Sequence, residues 1–289
     1  MKVTLITGTS TGIGFETAVY FAKQGRKVYA SMRNTAKAAE LVKLKTEGQL
    51  PLEILELDVT DNDSIRVAIE KISAAGDTID VLVNNAGIGC AGPLEELDEK
   101  AHRSVFDTNY FGAINLTKAI LPQMRANREG TIINITSFAG LLAVPNQFAY
   151  SASKFALEAA SEAMAGEVKP FGIRVSLIEP GVTKTAIFEN AVESSVFDKS
   201  SPYVDTMKKN GKIFAYGLRN PESPVNVAKL IFDVAGSDNP KLRYLIGKDA
   251  ENFMKGREKM TDEQWVDLFG TTNQKEYIDE MKRYFKIDI

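Results

Sequence analysis

Two sets of residues in this chain could do chemistry. The first is the run Thr7-Gly8-Thr9-Ser10-Thr11-Gly12-Ile13-Gly14, with glycines spaced by four and two. Gly8 permits a tight turn off a strand, Gly12 lets backbone approach a pyrophosphate, and Gly14 lets the next helix close onto the sheet. The helix N-terminus then offers free N–H groups to the anion. The second set is Tyr150 and Lys154, at i and i+4, so both project from one helix face. A phenol with a pKa of about 10 is a poor base near neutrality. A nearby ammonium favours the phenolate, and the phenol could then give a proton to a carbonyl oxygen or take one from an alcohol. Taken alone, such a pair is an ordinary feature of a helix surface.

Composition excludes other chemistries. Cys90 is the one cysteine and His102 the one histidine among 289 residues. No intramolecular disulfide and no Cys/His metal cluster is possible, and a Ser-His-Asp hydrolase would have to use His102. No metal site is expected, and neither Cys90 nor His102 matches a motif. Lys and Arg number 35 against 38 Asp and Glu, for a net charge of −3. That balance gives no footprint for nucleic acid or an anionic membrane. No uncharged apolar run approaches the ~18 residues of a membrane span. The expectation is a soluble, cytoplasmic protein.

The residues above need elements to position them. Apolar, β-branched runs predict strands at 3–7, 27–31, 52–57, 81–83, 131–136, 174–178 and 243–246. Helical spacing fills 12–24, 35–46, 61–75, 99–126, 149–168 and 225–235, with Asp61 as a cap. Alternating strands and helices with short links predict one α/β domain over 1–289: a doubly wound, Rossmann-type, mostly parallel seven-stranded sheet with helices on both faces. Residues 183–224 break the rhythm, and a connection that long is expected to be functional, here a substrate lid. Residues 251–289 read as a helical C-terminal extension packed back on the domain. The second strand runs into Met32-Arg33 with no acid to take a ribose 2′-hydroxyl, and Arg33 is available for a 2′-phosphate. That combination favours NADP(H) over NAD(H), with hydroxyl contacts from Ser10 and Thr11.

Further motifs follow the strands in order: Asn84-Asn85-Ala86-Gly87 after the fourth, Ser137 after the fifth, Tyr150-x-x-x-Lys154 on the next helix, and Pro180-Gly181 with Thr183 after the sixth. With the glycine-rich turn, this set resembles the short-chain dehydrogenase/reductase family over residues 2–185, and to 247 by element order. The resemblance implies strand order 3-2-1-4-5-6-7 and hydride transfer between a nicotinamide and an alcohol or carbonyl. It implies a cofactor site of Gly8, Ser10, Thr11, Gly12, Ile13, Gly14, Arg33, Asp58, Asn85, Ala86, Gly87, Tyr150, Lys154, Pro180, Gly181, Val182 and Thr183. Asp58 is similar to the family's adenine-contacting acid, and reads equally well as a cap at a strand end. Asn85, Ala86 and Gly87 would line the adenosine ribose, and Pro180, Gly181, Val182 and Thr183 would hold the nicotinamide.

The resemblance assigns catalysis to Asn109, Ser137, Tyr150 and Lys154, and substrate contact to Ser137 and Tyr150. Ser137 would donate a hydrogen bond to the substrate oxygen. Asn is a poor residue inside a helix, and Asn109 matches the family's Asn that bends the helix and holds a water linked to Lys154. The apolar stretch Gly140-Leu141-Leu142-Ala143-Val144-Pro145, with Phe188, Phe197 and Tyr203, suits an apolar or aromatic ketone, aldehyde or secondary alcohol better than a sugar. The length and tail are similar to the branch of NADP-dependent hydroxysteroid and retinol dehydrogenases. A homo-dimer or homo-tetramer through the helices carrying Asn109 and Tyr150 is implied as well. A non-catalytic NADP-binding regulator and a lyase- or epimerase-type reaction remain the alternatives.

Overall fold

Buried β-branched strands set the architecture. The computed structural model describes residues 1–185 and 195–288. Seven strands form the sheet: β1 (Val3–Ile6), β2 (Lys27–Met32), β3 (Leu52–Glu56), β4 (Val81–Asn84), β5 (Gly130–Ile135), β6 (Ile173–Pro180) and β7 (Arg243–Ile246). All neighbours pair in parallel, in the order β3-β2-β1-β4-β5-β6-β7. The doubly wound sheet is therefore as the sequence predicts. The order reverses between β1 and β4, which opens a crevice at their carboxyl ends.

Eleven α-helices are described: α1 (Gly12–Lys23), α2 (Ala39–Gly48), α3 (Asn62–Ala74), α4 (Glu99–Phe106), α5 (Ala113–Asn127), α6 (Phe148–Val168), α7 (Val204–Arg219), α8 (Pro224–Gly236), α9 (Lys248–Arg257), α10 (Asp262–Gly270) and α11 (Gln274–Phe285). Side chains alternate across a strand, so Ile6 joins the core under α1, α2 and α8, while Leu5 joins the core under α3, α5 and α6. Asp61 caps α3 by accepting from the Asp63 N–H at 2.9 Å.

Two expected elements change form. The long helix at 99–126 is α4 and α5 joined by a π-helical turn, Asp107–Gly112, which contains Asn109. The irregular stretch 183–224 contains the 16-residue helix α7. Its apolar residues are interrupted by Lys208, Lys209 and Gly211, because its two inward faces meet different surroundings. One of these packs on the C-terminal helices. There, buried Lys209 donates to the carbonyls of Phe269 (2.8 Å) and Thr271, and its Nζ lies 5.0 Å from the Tyr277 ring centre. The cation thus meets the free carbonyls at the end of α10.

Residues of α9, α10 and α11 build a third core: Phe253, Leu268, Phe269, Tyr277, Met281 and Phe285 pack with Leu142 and Ile213. Trp265 Nε1 donates to the Ala143 carbonyl at 3.1 Å. The C-terminal helices therefore buttress the segment that follows β5. Phe285 is fully buried at the centre of this core, 5.2 Å from Phe253 ring to ring. Phe285→Ala is expected to cost about 3–5 kcal/mol, read as a lower urea midpoint. An unchanged midpoint would show that the third core does not contribute to global stability.

Candidate active site

The crevice above the carboxyl ends of β1, β4, β5 and β6 holds a cavity of about 630 Å³. At one end the glycine-rich turn has the conformation its residues allow. Gly8 and Gly12 have φ of +69° and +62°, the left-handed region that side chains disfavour. A Cβ at Gly8 would lie 2.8 Å from Ala86 Cα. That close approach is held by Asn85, whose Nδ2 donates to the carbonyls of Thr7 (2.8 Å) and Gly8 (3.1 Å). Thr7 Oγ1 accepts from the N–H groups of Asn85 and Ala86, both at 2.9 Å. The loops after β1 and β4 are thus one unit, and Asn85 works through its bracing of the turn.

The dinucleotide that the family resemblance implies fits this end. The first turn of α1 has no acidic residue, and the Thr11 side chain does not cap it, so its N–H groups are available to an anion. Gly8, Ser10, Thr11, Gly12 and Ile13 line the cavity, while Gly14 is buried beneath, against Asn85 and Gly8. Arg33 also lines it, exposed and without an ion pair among the described residues. Lys37 stands beside it on the cavity wall, a second cation that the sequence analysis missed. Asp58 holds its own loop and also stands on the cavity wall. Its Oδ1 accepts from the N–H (2.9 Å) and hydroxyl (2.7 Å) of Thr60. Pro180, Gly181, Val182 and Thr183 form the facing wall. There the Val182 N–H donates to Asp249 Oδ2 at 2.7 Å.

Deeper in the crevice, α6 carries Tyr150 and Lys154, and Ser137 begins the short 3-10 turn Phe138–Gly140. Ser137 Oγ accepts from the Ala139 N–H (3.1 Å) and donates to the Pro180 carbonyl (3.3 Å), and its hydroxyl lies near enough to the Tyr150 phenol to oppose the effect of burial on it. Lys154 is buried. Its Nζ donates to the Ile135 carbonyl at 2.9 Å and lies 5.7 Å from the Tyr150 ring centre. Asn109 Oδ1 accepts from the Ile88 N–H (2.8 Å), and its Nδ2 donates to the Ile88 carbonyl (2.9 Å) and Ser153 Oγ (3.1 Å). Both amide protons are committed and one oxygen lone pair remains. A Cβ at Gly87 would lie 3.3 Å from Asn109 Oδ1 and 3.7 Å from Lys154 Nζ, so the bare glycine leaves open the space between them.

In the protein without ligand, burial pushes the Tyr150 phenol above its usual range, against the Ser137 hydroxyl. Burial also pulls Lys154 down to about 8, against the field of Glu158. Glu158 lies one turn beyond Lys154 on α6 and was not singled out in the sequence. It is buried, accepts from Arg243 Nε at 2.9 Å, and shares that arginine with buried Glu179. Burial and the Glu158 charge push Glu179 up to about 7.

The other end of the cavity is lined by Leu142, Val144, Asn146, Gln147, Phe197 and the inner face of α7. Phe197 lies where expected. Tyr203 does not; it is turned outward, its hydroxyl donating to Glu95 Oε2 at 2.6 Å. Phe188 lies outside the described residues. Cys90 lines the cavity, and burial pushes its thiol up to about 11, so it is an inert wall residue. His102 packs edge-on to Phe148 at 5.2 Å. Among the described residues no cluster suits a metal ion, and no helix is long and apolar enough to cross a membrane.

The buried ammonium has a pH signature. Folded Lys154 releases its proton near 8, whereas the unfolded chain holds it to about 10.5. The unfolded state therefore binds more protons in that window, and stability rises with pH across it. Wild type should gain roughly 3 kcal/mol over Lys154→Met as pH rises through the window, measured by urea denaturation. A difference independent of pH would contradict the burial of the charge.

The sequence pattern of the short chain dehydrogenase family matches residues 2–195. A 3-ketodihydrosphingosine reductase from Bacteroides thetaiotaomicron is 38% identical over 246 residues, covering 85% of this chain and 88% of that protein. Retinol dehydrogenase 8 from Bos taurus is 39% identical, covering 84% and 80%. The crystal structure of a short-chain dehydrogenase from Streptomyces avermitilis superposes with a TM-score of 0.80 at 34% identity, covering 93% of this chain and 95% of that one. The chain belongs to the short-chain dehydrogenase/reductase family and is an oxidoreductase of alcohol and keto groups.

Proposed function

We propose that this enzyme is NADP(H)-dependent and interconverts a secondary alcohol with a ketone, or an alcohol with an aldehyde, on an apolar or aromatic substrate. One observation carries the reading: Ser137, Tyr150 and Lys154 line one end of an apolar-walled cavity whose other end holds the glycine-rich turn with Arg33 and Lys37, which have no ion pair among the described residues. The lipid-like substrates named for the sphingosine and retinol relatives support the apolar half of it. Arg33 and Lys37, with no acid between the second strand and Arg33, support the NADP(H) half.

The bound nicotinamide supplies or accepts a hydride. The chain's own residues handle the proton. Ser137 donates a hydrogen bond to the substrate oxygen and steadies the charge that develops there. Tyr150, a phenol that burial pushes further from ionisation, gives its proton to that oxygen during reduction and takes it back during oxidation. Lys154 faces the phenolate that results, and Glu158 favours the charged lysine. The remaining lone pair of Asn109 and the space above Gly87 suit a water that returns the proton from solvent toward Lys154.

The chain acts as one catalytic domain. Residues 183–224 serve as its substrate lid and 251–289 as a brace for the loop after Ser137; the contacts of α7 with the cavity and of Trp265 with Ala143 support these roles. Pairing into a homo-dimer or tetramer is supported by exposed Phe111 in the π-turn and Phe155 on α6, apolar residues on the two helices concerned. The single buried thiol suits the cytoplasm. A non-catalytic regulator would not need the Ser137–Tyr150–Lys154 set, and this chain retains it.

Tyr150→Phe is expected to lower kcat by about 100-fold or more while dinucleotide binding persists. Turnover near the wild-type rate would refute the proton role. Arg33→Ala should weaken NADPH about tenfold or more and NADH far less, by fluorescence titration; equal losses would remove the 2′-phosphate argument.

A further inference from the structure

We propose that Asn210 selects a substrate bearing a second polar group, a hydroxyl remote from the reacting carbon; the inference rests on the reductase reading above. Helix α7 meets the cavity along one face, through Met207, Asn210, Gly211, Ile213, Phe214 and Leu218. Their spacing of three and four places them on neighbouring turns. Asn210 is the polar side chain in this apolar row. It is 7% exposed, and its Oδ1 accepts no hydrogen bond.

A buried amide oxygen without a partner is unfavourable, and an apolar residue would suit such a wall better. The helix cannot rotate to give the amide to water. One position earlier, Lys209 is anchored to the carbonyls of Phe269 and Thr271, and Ile213 is buried in the core of the C-terminal helices. Asn210 is therefore held at the cavity wall with its amide oxygen enclosed, and a donor reaches that oxygen when a ligand filling the cavity displaces the side chains beside it.

Asn146 adds the complementary group. It lines the same cavity at 9% exposure, and its Nδ2 has no acceptor. Its backbone is fixed by a left-handed φ of +65° and by the Gly92 N–H, which donates to its carbonyl at 2.9 Å. An unpaired acceptor and an unpaired donor on the wall of one cavity suit hydroxyl chemistry, since a hydroxyl both gives and takes hydrogen bonds. The substrate class is thus an apolar ketone, or the matching alcohol, with a second hydroxyl. Ser137 and Tyr150 take the reacting oxygen, and Asn210 takes the distal one.

The test uses methyl ketones of increasing chain length and their ω-hydroxy counterparts, with NADPH, on wild type and Asn210→Leu. The hydroxyl preference is read as a ratio of kcat/KM within each variant, so a change in overall rate does not enter. Binding of each pair is also read by thermal shift. Wild type should prefer the hydroxylated ketone at one chain length by about tenfold, and Asn210→Leu should bring that ratio to near unity. No preference at any length, or a preference that survives in Asn210→Leu, would overturn the proposal. Absence of turnover with every ketone would instead refute the reductase reading, and this inference with it.

Discussion

The site is built around one ammonium that water cannot reach. Lys154 is buried on α6, and burying a charge is costly unless it is met by fixed partners. Three surround it: the Ile135 carbonyl at the end of β5, the ring of Tyr150 one turn back, and the field of Glu158 one turn on. Meeting them requires α6 to lie in a fixed register against the ends of β5 and β6. The turn after Ser137 enforces that register. A Cβ at Gly140 would fall 3.1 Å from Glu158 Cγ and 3.2 Å from Lys154 Cβ, so the loop and the helix are in direct contact.

The same contact ties the C-terminal helices to the chemistry. Phe253 lies 5.6 Å from Phe138, ring to ring, and Trp265 holds the Ala143 carbonyl. The loop bearing Ser137 is therefore clamped between α6 and the third core. Helix α7 is clamped from the same side through Lys209, which leaves its opposite face to the cavity. A buried cation thus supports each of the two walls.

Much of this was legible in the residues. Strand-forming runs and glycine punctuation give the sheet, because all seven strands are parallel and short links are the rule. The turn from Gly8 to Gly14 and the Tyr150–Lys154 pair were readable because their chemistry depends on local spacing. What stayed hidden depends on distant partners. Glu158 is an unremarked acid in a helix until Arg243 and Glu179 close over it. Helix α7 has no clean period because one face meets a cavity and another a core. The upward push on the phenol was not legible because the sequence shows the neighbouring lysine but not the burial.

The central claim is that burial holds the Tyr150 phenol above its ordinary range and that the positive ring of a bound oxidised nicotinamide would bring it down. Titration of a ¹³C-labelled tyrosine signal, assigned by its loss in a Phe variant, tests this directly. Without ligand, the phenol should titrate above the ordinary tyrosine range; with saturating NADP+, it should titrate well below that value. A phenol already acidic in the free protein, or one indifferent to NADP+, would contradict the account.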